Sequence, residues 1–209
     1  MFTGIIQNQG RFGGFREGRT VLAVEASIPE SRLAPGGSIA VDGVCLTLTR
    51  RDGGNLIFDL SQETLARTTL GGLRPGARLN LELPLTLADP LGGRLVSGHI
   101  DFTAKTLRST PKHPGLRLAF ALPAAQRKYF IPKGSVAVNG VSLTVAALGP
   151  SSFEVELIPA TLDKSNLSSL RAGDPVNVEC DMIGKYVYNQ RLGRSEAGSI
   201  HGPRRGDTR

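Results

Sequence analysis

Gly37-Ser-Ile-Ala-Val-Asp-Gly-Val-Cys-Leu-Thr-Leu48 returns almost unchanged 97 positions on, as Gly134-Ser-Val-Ala-Val-Asn-Gly-Val-Ser-Leu-Thr-Val145. The same offset carries Glu63-Thr-Leu-Ala-Arg-Thr68 onto Ala160-Thr-Leu-Asp-Lys-Ser165, and Asn80-Leu-Glu82 onto Asn177-Val-Glu179. Three matched blocks in one ungapped register identify a tandem duplication. We read one copy as residues 1–93, a second as 94–186, and residues 187–209 as the end of a helix and a basic, disordered tail.

Within each copy the pattern is β. Residues 38–41 and 45–49 are β-branched runs around Asp42-Gly43, and Asn139-Gly140 repeats that dipeptide. Such pairs supply the positive φ angles of a two-residue hairpin turn. Further strands are expected at 20–26, 55–60, 78–83, 117–121, 153–158 and 175–180, each bounded by turn-forming residues. About six short strands in some 90 residues suit a small closed barrel. Helical turns are expected at 62–67, 124–130 and 161–166, with one amphipathic helix at 182–192 presenting Ile183, Tyr186 and Val187 on a face. The expected fold is all-β.

Composition narrows the function classes. The 209 residues are 40% hydrophobic and 21% charged, which excludes wholesale disorder, and no apolar run approaches the roughly 18 residues of a spanning helix. The amino terminus lacks the pattern of a secretory signal, so we expect a cytoplasmic protein with no membrane partner. Of the net charge of +7, +3 arises from residue 186 onward, where five arginines oppose Glu196 and Asp207. A mildly basic body without interleaved aromatics gives little reason to expect nucleic acid. Cys45 and Cys180 lie far apart, and His99, His113 and His201 are scattered, so neither a disulfide nor a metal centre is expected. No phosphate loop or dinucleotide fingerprint is present, which leaves the chemistry to side chains and substrate. A duplicated barrel offers two similar pockets, suited to a reaction between two copies of one molecule.

Six stretches then carry a resemblance. Met1-Phe-Thr-Gly-Ile-Ile6, Val41-Asp-Gly-Val-Cys-Leu-Thr47, Glu63 to Thr68, Gly92-Gly-Arg-Leu-Val-Ser-Gly-His-Ile-Asp101, Val138-Asn-Gly-Val-Ser-Leu-Thr144 and Val176-Asn-Val-Glu-Cys-Asp-Met-Ile-Gly-Lys-Tyr186 occur in the order found in the riboflavin synthase alpha-chain family, which the chain resembles over about residues 1–190. The resemblance implies two six-stranded Greek-key barrels, a C-terminal helix, a homotrimer partly held by that helix, and an association with lumazine synthase. It implies dismutation of two molecules of 6,7-dimethyl-8-ribityllumazine to riboflavin and 5-amino-6-ribitylaminouracil, with no cofactor and no metal. The active site is expected where the first barrel of one subunit faces the second barrel of its neighbour.

By the same resemblance, Gly4, Ile5, Ile6, Cys45, Leu46 and Thr47, with Glu63, Thr64, Leu65, Ala66, Arg67 and Thr68, line the first pocket. Gly98, His99, Ile100, Lys133, Ser142, Leu143 and Thr144, with Ala160, Thr161, Leu162, Asp163, Lys164 and Ser165, line the second. Leu46 and Leu143 are expected to pack the ligand ring. The 7-methyl group of one lumazine must lose a proton, and a histidine titrates near working pH, so His99 is the candidate for proton transfer; a lone histidine more often makes a structural hydrogen bond. Cys45 is either a nucleophile or a passive pocket thiol. Ser142 is expected to polarise the other ring, with Ser38 supporting the network. Lys133 either contacts substrate or covers its hairpin. The chain departs from the family at Asn139, where an acid is common, and at Arg94, where a histidine is common. Ala160 also breaks the internal match to Glu63.

Overall fold

The structure is a computed structural model that describes residues 1–198. Strands β1 (Asn8–Arg16), β2 (Val21–Glu25), β3 (Ser38–Val41), β4 (Val44–Asp52), β5 (Asn55–Asp59) and β6 (Arg78–Glu82) close into a barrel in the order β1-β2-β5-β4-β3-β6. Strands β7 (Phe102–Lys112), β8 (Gly115–Ala121), β9 (Ser135–Val138), β10 (Val141–Leu148), β11 (Ser152–Leu157) and β12 (Pro175–Cys180) form a second closed barrel with the same cyclic order. In each, three hairpin-connected strands are followed around the barrel by a strand from outside the meander, the Greek-key arrangement. All neighbours are antiparallel. The expected all-β duplication is therefore the observed fold.

The hairpins form as the sequence predicts. Asp42 and Gly43 have φ of 45° and 79°, and Asn139 and Gly140 have 45° and 77°. Period-2 alternation then separates the faces of β4 and β10: Val44, Leu46 and Leu48 are buried in the first core, and Val141, Leu143 and Val145 in the second. Each barrel has its own core, with Phe58 at the centre of the first and Phe120 and Phe153 in the second.

Two strands escaped the sequence reading. In β1, Gly10, Gly13 and Gly14 dilute the β signal; Gly10 is needed because a Cβ there would sit 2.9 Å from side-chain atoms of Leu81 and Val24. In β7, Lys105, Leu107 and Arg108 are exposed and Pro111 lies near the end, so only Ala104 and Thr106 mark an inner face. Helices α1 (Gln62–Arg67) and α2 (Pro159–Lys164) match the expected turns, and a 3-10 turn spans Ala124–Tyr129. Helix α3 (Met182–Gly198) runs six residues beyond its expected end, because Arg194, Glu196 and Ala197 favour helix strongly enough to carry Gly193. Lys185 anchors it by a 2.6 Å ion pair to Asp101. The expected disordered tail falls largely on residues 199–209, outside the described residues.

The two barrels meet through their hairpin turns. A Cβ on Gly43 would lie 2.6 Å from the backbone nitrogen of Gly140, and the reverse approach is 2.8 Å. A buried amide network surrounds this contact. Asn80 donates from its side chain to the Asn139 carbonyl, and Asn177 donates in the same way to the Asp42 carbonyl, both at 2.9 Å. Asp42 Oδ1 accepts from the Asn80 N–H and Asn166 Nδ2, while Asn139 Oδ1 accepts from the Asn177 N–H. The residues exchange places in pairs, as a pseudo-twofold axis between the barrels requires. Asn139, where an acid is common in the family, is part of this barrel–barrel seam.

Candidate active site

Both mouths are built from a core strand, a helical turn and a short extended arm. Glu82 accepts from the Thr3 N–H and hydroxyl, both at 2.6 Å, and from the Gly4 N–H at 3.0 Å. Glu179 accepts from the Ser97 N–H at 2.7 Å, the Ser97 hydroxyl at 2.8 Å and the Gly98 N–H at 2.9 Å. The Thr3 hydroxyl then accepts from the Ile5 N–H, as the Ser97 hydroxyl does from the His99 N–H. Thr3-Gly4-Ile5-Ile6 is thus the counterpart of Ser97-Gly98-His99-Ile100. The sequence carried the signal, since Glu82 and Glu179 match within the repeat, but offered no reason to see them as clamps. Burial pushes the Glu82 carboxyl up, against the lowering effect of its hydrogen bonds to Thr3, Gly4 and Ile5.

The arms are exchanged relative to the sequence expectation. Ser142 N–H donates to the Gly4 carbonyl and Cys45 N–H to the Gly98 carbonyl, both at 2.8 Å. A Cβ on Gly4 (φ 74°) would lie 2.5 Å from the Ser142 Cβ, and one on Gly98 (φ 84°) 2.5 Å from the Cys45 Cβ. Ile6 belongs to the core of the second barrel, and Ile100 packs against that of the first. Gly4, Ile5 and Ile6 therefore stand at the second mouth with Ser142, and Gly98, His99 and Ile100 at the first with Cys45. The linker crosses over because Phe2 and Val96 pair as a β-bridge between the barrels.

At the second mouth a cavity of about 440 Å³ is lined by Gly4–Ile6, Gly92, Gly93, Arg94, Val141, Ser142, Ala160, Thr161, Lys164 and Ser165. Its size and mixed lining suit a small heteroaromatic ligand. Arg94, which sequence reasoning noted only as a departure, donates from Nη1 to Ser142 Oγ at 3.1 Å and the Leu143 carbonyl at 2.8 Å, and from Nη2 to Thr144 Oγ1 at 3.3 Å. Leu46 and Leu143, expected to pack the ring, instead point into the cores, leaving Cys45, Thr47, Ser142 and Thr144 on the outer face. Leu162 packs against the second core, and Asp163 and Lys133 are exposed outside this cavity. Lys133 holds φ 64° at the turn where the first copy has Gly36.

At the first mouth, α1 presents Glu63 and Arg67 as an ion pair at 2.8 Å. The Ser61 hydroxyl caps its N-terminus by accepting from Thr64 N–H. The Thr68 hydroxyl donates to the Thr64 carbonyl, as that of Ser165 does to Thr161 in α2. Leu65 packs on the core, and Ala66 completes the turn. Ser38 is paired with Thr47 across the β3–β4 ladder. His99 is exposed; its Nδ1 lies 3.2 Å from Ser97 Oγ, and it borders a second cavity of about 480 Å³ with Lys128, Tyr129 and Tyr188 beside α3. Cys45 and Cys180 are free thiols, and burial together with Asp101 pushes the Cys180 thiol well up.

Paired barrels with matched mouths define a lumazine-binding architecture, and the family described as "Lumazine binding domain" matches residues 3–84 and 97–181. Riboflavin synthase of Mycobacterium tuberculosis is 40% identical over 202 residues, covering 93% of this chain and 99% of the relative. That of Actinobacillus pleuropneumoniae is 38% identical over 189 residues (90% and 88%), and that of Bacillus subtilis 36% over 190 (90% and 88%). A solved structure of LumP complexed with riboflavin superposes with a TM-score of 0.76 at 26% identity, covering 86% of this chain and 99% of LumP. The chain belongs to the riboflavin synthase family, and it is an enzyme.

Proposed function

We propose that the chain converts two molecules of 6,7-dimethyl-8-ribityllumazine to riboflavin and 5-amino-6-ribitylaminouracil, one lumazine bound at each mouth of the units 1–93 and 94–186. The observation that carries this reading is the pair of pseudo-equivalent mouths, each built from a glycine arm laid on a core strand. The 7-methyl proton of one lumazine is lost and a four-carbon unit passes between the rings, so donor and acceptor are the same compound and the reaction is redox-balanced without an added cofactor. His99 assists proton transfer at the first mouth, where Cys45 faces the ligand from the neighbouring strand. Ser142 polarises the ring at the second, and Ser38 sits behind Thr47.

A homotrimer would bring the first mouth of one protomer to the second of its neighbour. Ile183, Tyr186 and Val187 on α3 are 70%, 67% and 56% exposed within the single chain, an apolar face of the kind that self-association covers. Association with lumazine synthase and a cytoplasmic location fit a biosynthetic enzyme; among the described residues no helix is long and apolar enough to cross a membrane.

The likeness to LumP favours one rival, a non-catalytic lumazine- or flavin-binding protein. Retention of Cys45, His99 and Ser142-Leu143-Thr144 favours the enzyme. Incubating the purified protein with 6,7-dimethyl-8-ribityllumazine alone and following flavin fluorescence separates the two: riboflavin formation is expected, and binding without turnover would establish the rival.

A further inference from the structure

The two mouths share their construction but not their charge. At the first, Glu63 neutralises Arg67. At the equivalent places of the second stand Ala160 and Lys164, so the carboxylate is missing while the cation remains. Arg94 adds a second cation to the cavity wall.

Neither Arg94 nor Lys164 takes part in an ion pair among the described residues. The other charged groups nearby are committed elsewhere or turned away. Glu82 lies behind the arm and is held by Thr3 and Gly4. Glu179 and Asp181 border a separate narrow crevice behind Arg94, and Glu179 is held by Ser97 and Gly98. Asp163 is exposed and does not line the cavity.

The hydrogen bonds of Arg94 end on three neutral oxygens, so no carboxylate contacts its guanidinium directly among the described residues. By donating to Ser142 Oγ, the guanidinium also occupies a lone pair of that hydroxyl, and the Ser142 O–H remains free as a donor.

We propose that the second mouth takes its lumazine as the anion, with Arg94 supplying the charge and fixing Ser142 as a hydrogen-bond donor to the ring, while the neutral first mouth takes the uncharged molecule. The proposal rests on reading the two mouths as lumazine sites. Loss of the 7-methyl proton leaves a charge spread over the ring nitrogens and carbonyl oxygens, which are the acceptors that a guanidinium and a hydroxyl donor match. The proposal assigns the ionised partner of the reaction to the second barrel.

The test is a pH titration of the absorbance of bound 6,7-dimethyl-8-ribityllumazine in the full chain and in Arg94→Gln, Arg94→Lys and Ala160→Trp variants. In the unaltered chain half of the bound ligand is expected to ionise at lower pH than free ligand. Arg94→Gln should raise the proton affinity of that ligand at least about tenfold, one pH unit, and Arg94→Lys should retain most of the effect. Ala160→Trp, at an exposed position on the cavity rim, should remove one of two bound ligands per chain together with the low-pH ionisation. Undiminished stoichiometry in Ala160→Trp would overturn the site reading. Loss of one ligand there, with unchanged ionisation in Arg94→Gln, would overturn the charge assignment alone.

Discussion

Asp42 sits at the seam between the barrels with its carboxyl completely enclosed, and desolvation raises its pKa from 3.8 to about 7 despite hydrogen bonds from Asn80 and Asn166. The pseudo-twofold partner at the same φ of 45° is Asn139, an amide that makes the equivalent bond to Asn177. Asp42→Asn therefore installs a residue already accommodated across the axis. Below about pH 4 the carboxyl is protonated in folded and unfolded chains alike, so its ionisation costs nothing. Between about pH 4 and 7 the unfolded chain releases the proton while the folded chain keeps it, so stability falls as pH rises. Above pH 7 the cost is complete. The interval from 3.8 to about 7 corresponds to on the order of 4 kcal/mol, at about 1.4 kcal/mol for each tenfold change in proton affinity. Urea denaturation at fixed protein concentration, at pH 4.5 and pH 8, should show Asp42→Asn more stable than the parent by roughly 2–4 kcal/mol at pH 8, with the two much closer at pH 4.5. A variant that is less stable at pH 8, or a parent with the same pH slope as the variant, would refute the reasoning.

Three further substitutions address the arms and mouths. Glu179→Ala removes the acceptor of three N–H and O–H groups; we expect a loss of about 2–4 kcal/mol in denaturation, with turnover falling further than global stability as the His99 arm lifts. Gly4→Ala places a Cβ 2.5 Å from that of Ser142 and should weaken lumazine binding at the second mouth in a fluorescence titration, leaving the first mouth occupied. His99→Gln should lower the rate of riboflavin formation by at least about tenfold, as expected for loss of a general acid or base; unchanged turnover would remove His99 from the chemistry.

The fold was legible because the hairpin Gly37–Leu48 and its copy combine a turn dipeptide with period-2 alternation, two local signals that agree. Strands β1 and β7 were not, because glycine in one and exposed cations in the other are set by neighbouring strands rather than by their own residues. The site divided similarly. Cys45, Ser142 and α2 stand in the halves the repeat gave them, but the grouping of Gly4 with Cys45 and of His99 with Ser142 failed: the partner of each arm is fixed by the Phe2–Val96 bridge and the glutamate clamps, contacts between segments some 80 to 94 residues apart. The inward turn of Leu46 and Leu143 follows from strand alternation and was available in the sequence. The amide seam around Asp42 could not be read, since asparagines at turns usually serve only the local backbone.

The exchange of arms also bears on how such an enzyme diverges. Cys45 lies in the first copy and the Gly98–His99 arm in the second, yet the arm is laid on Cys45, and Ser142 is covered in the same way by Gly4. Selection on either pocket therefore acts on both halves of the gene at once. The arm of each repeat is tied to the strand it covers in the other, so a change at either strand is felt by the opposite half of the chain.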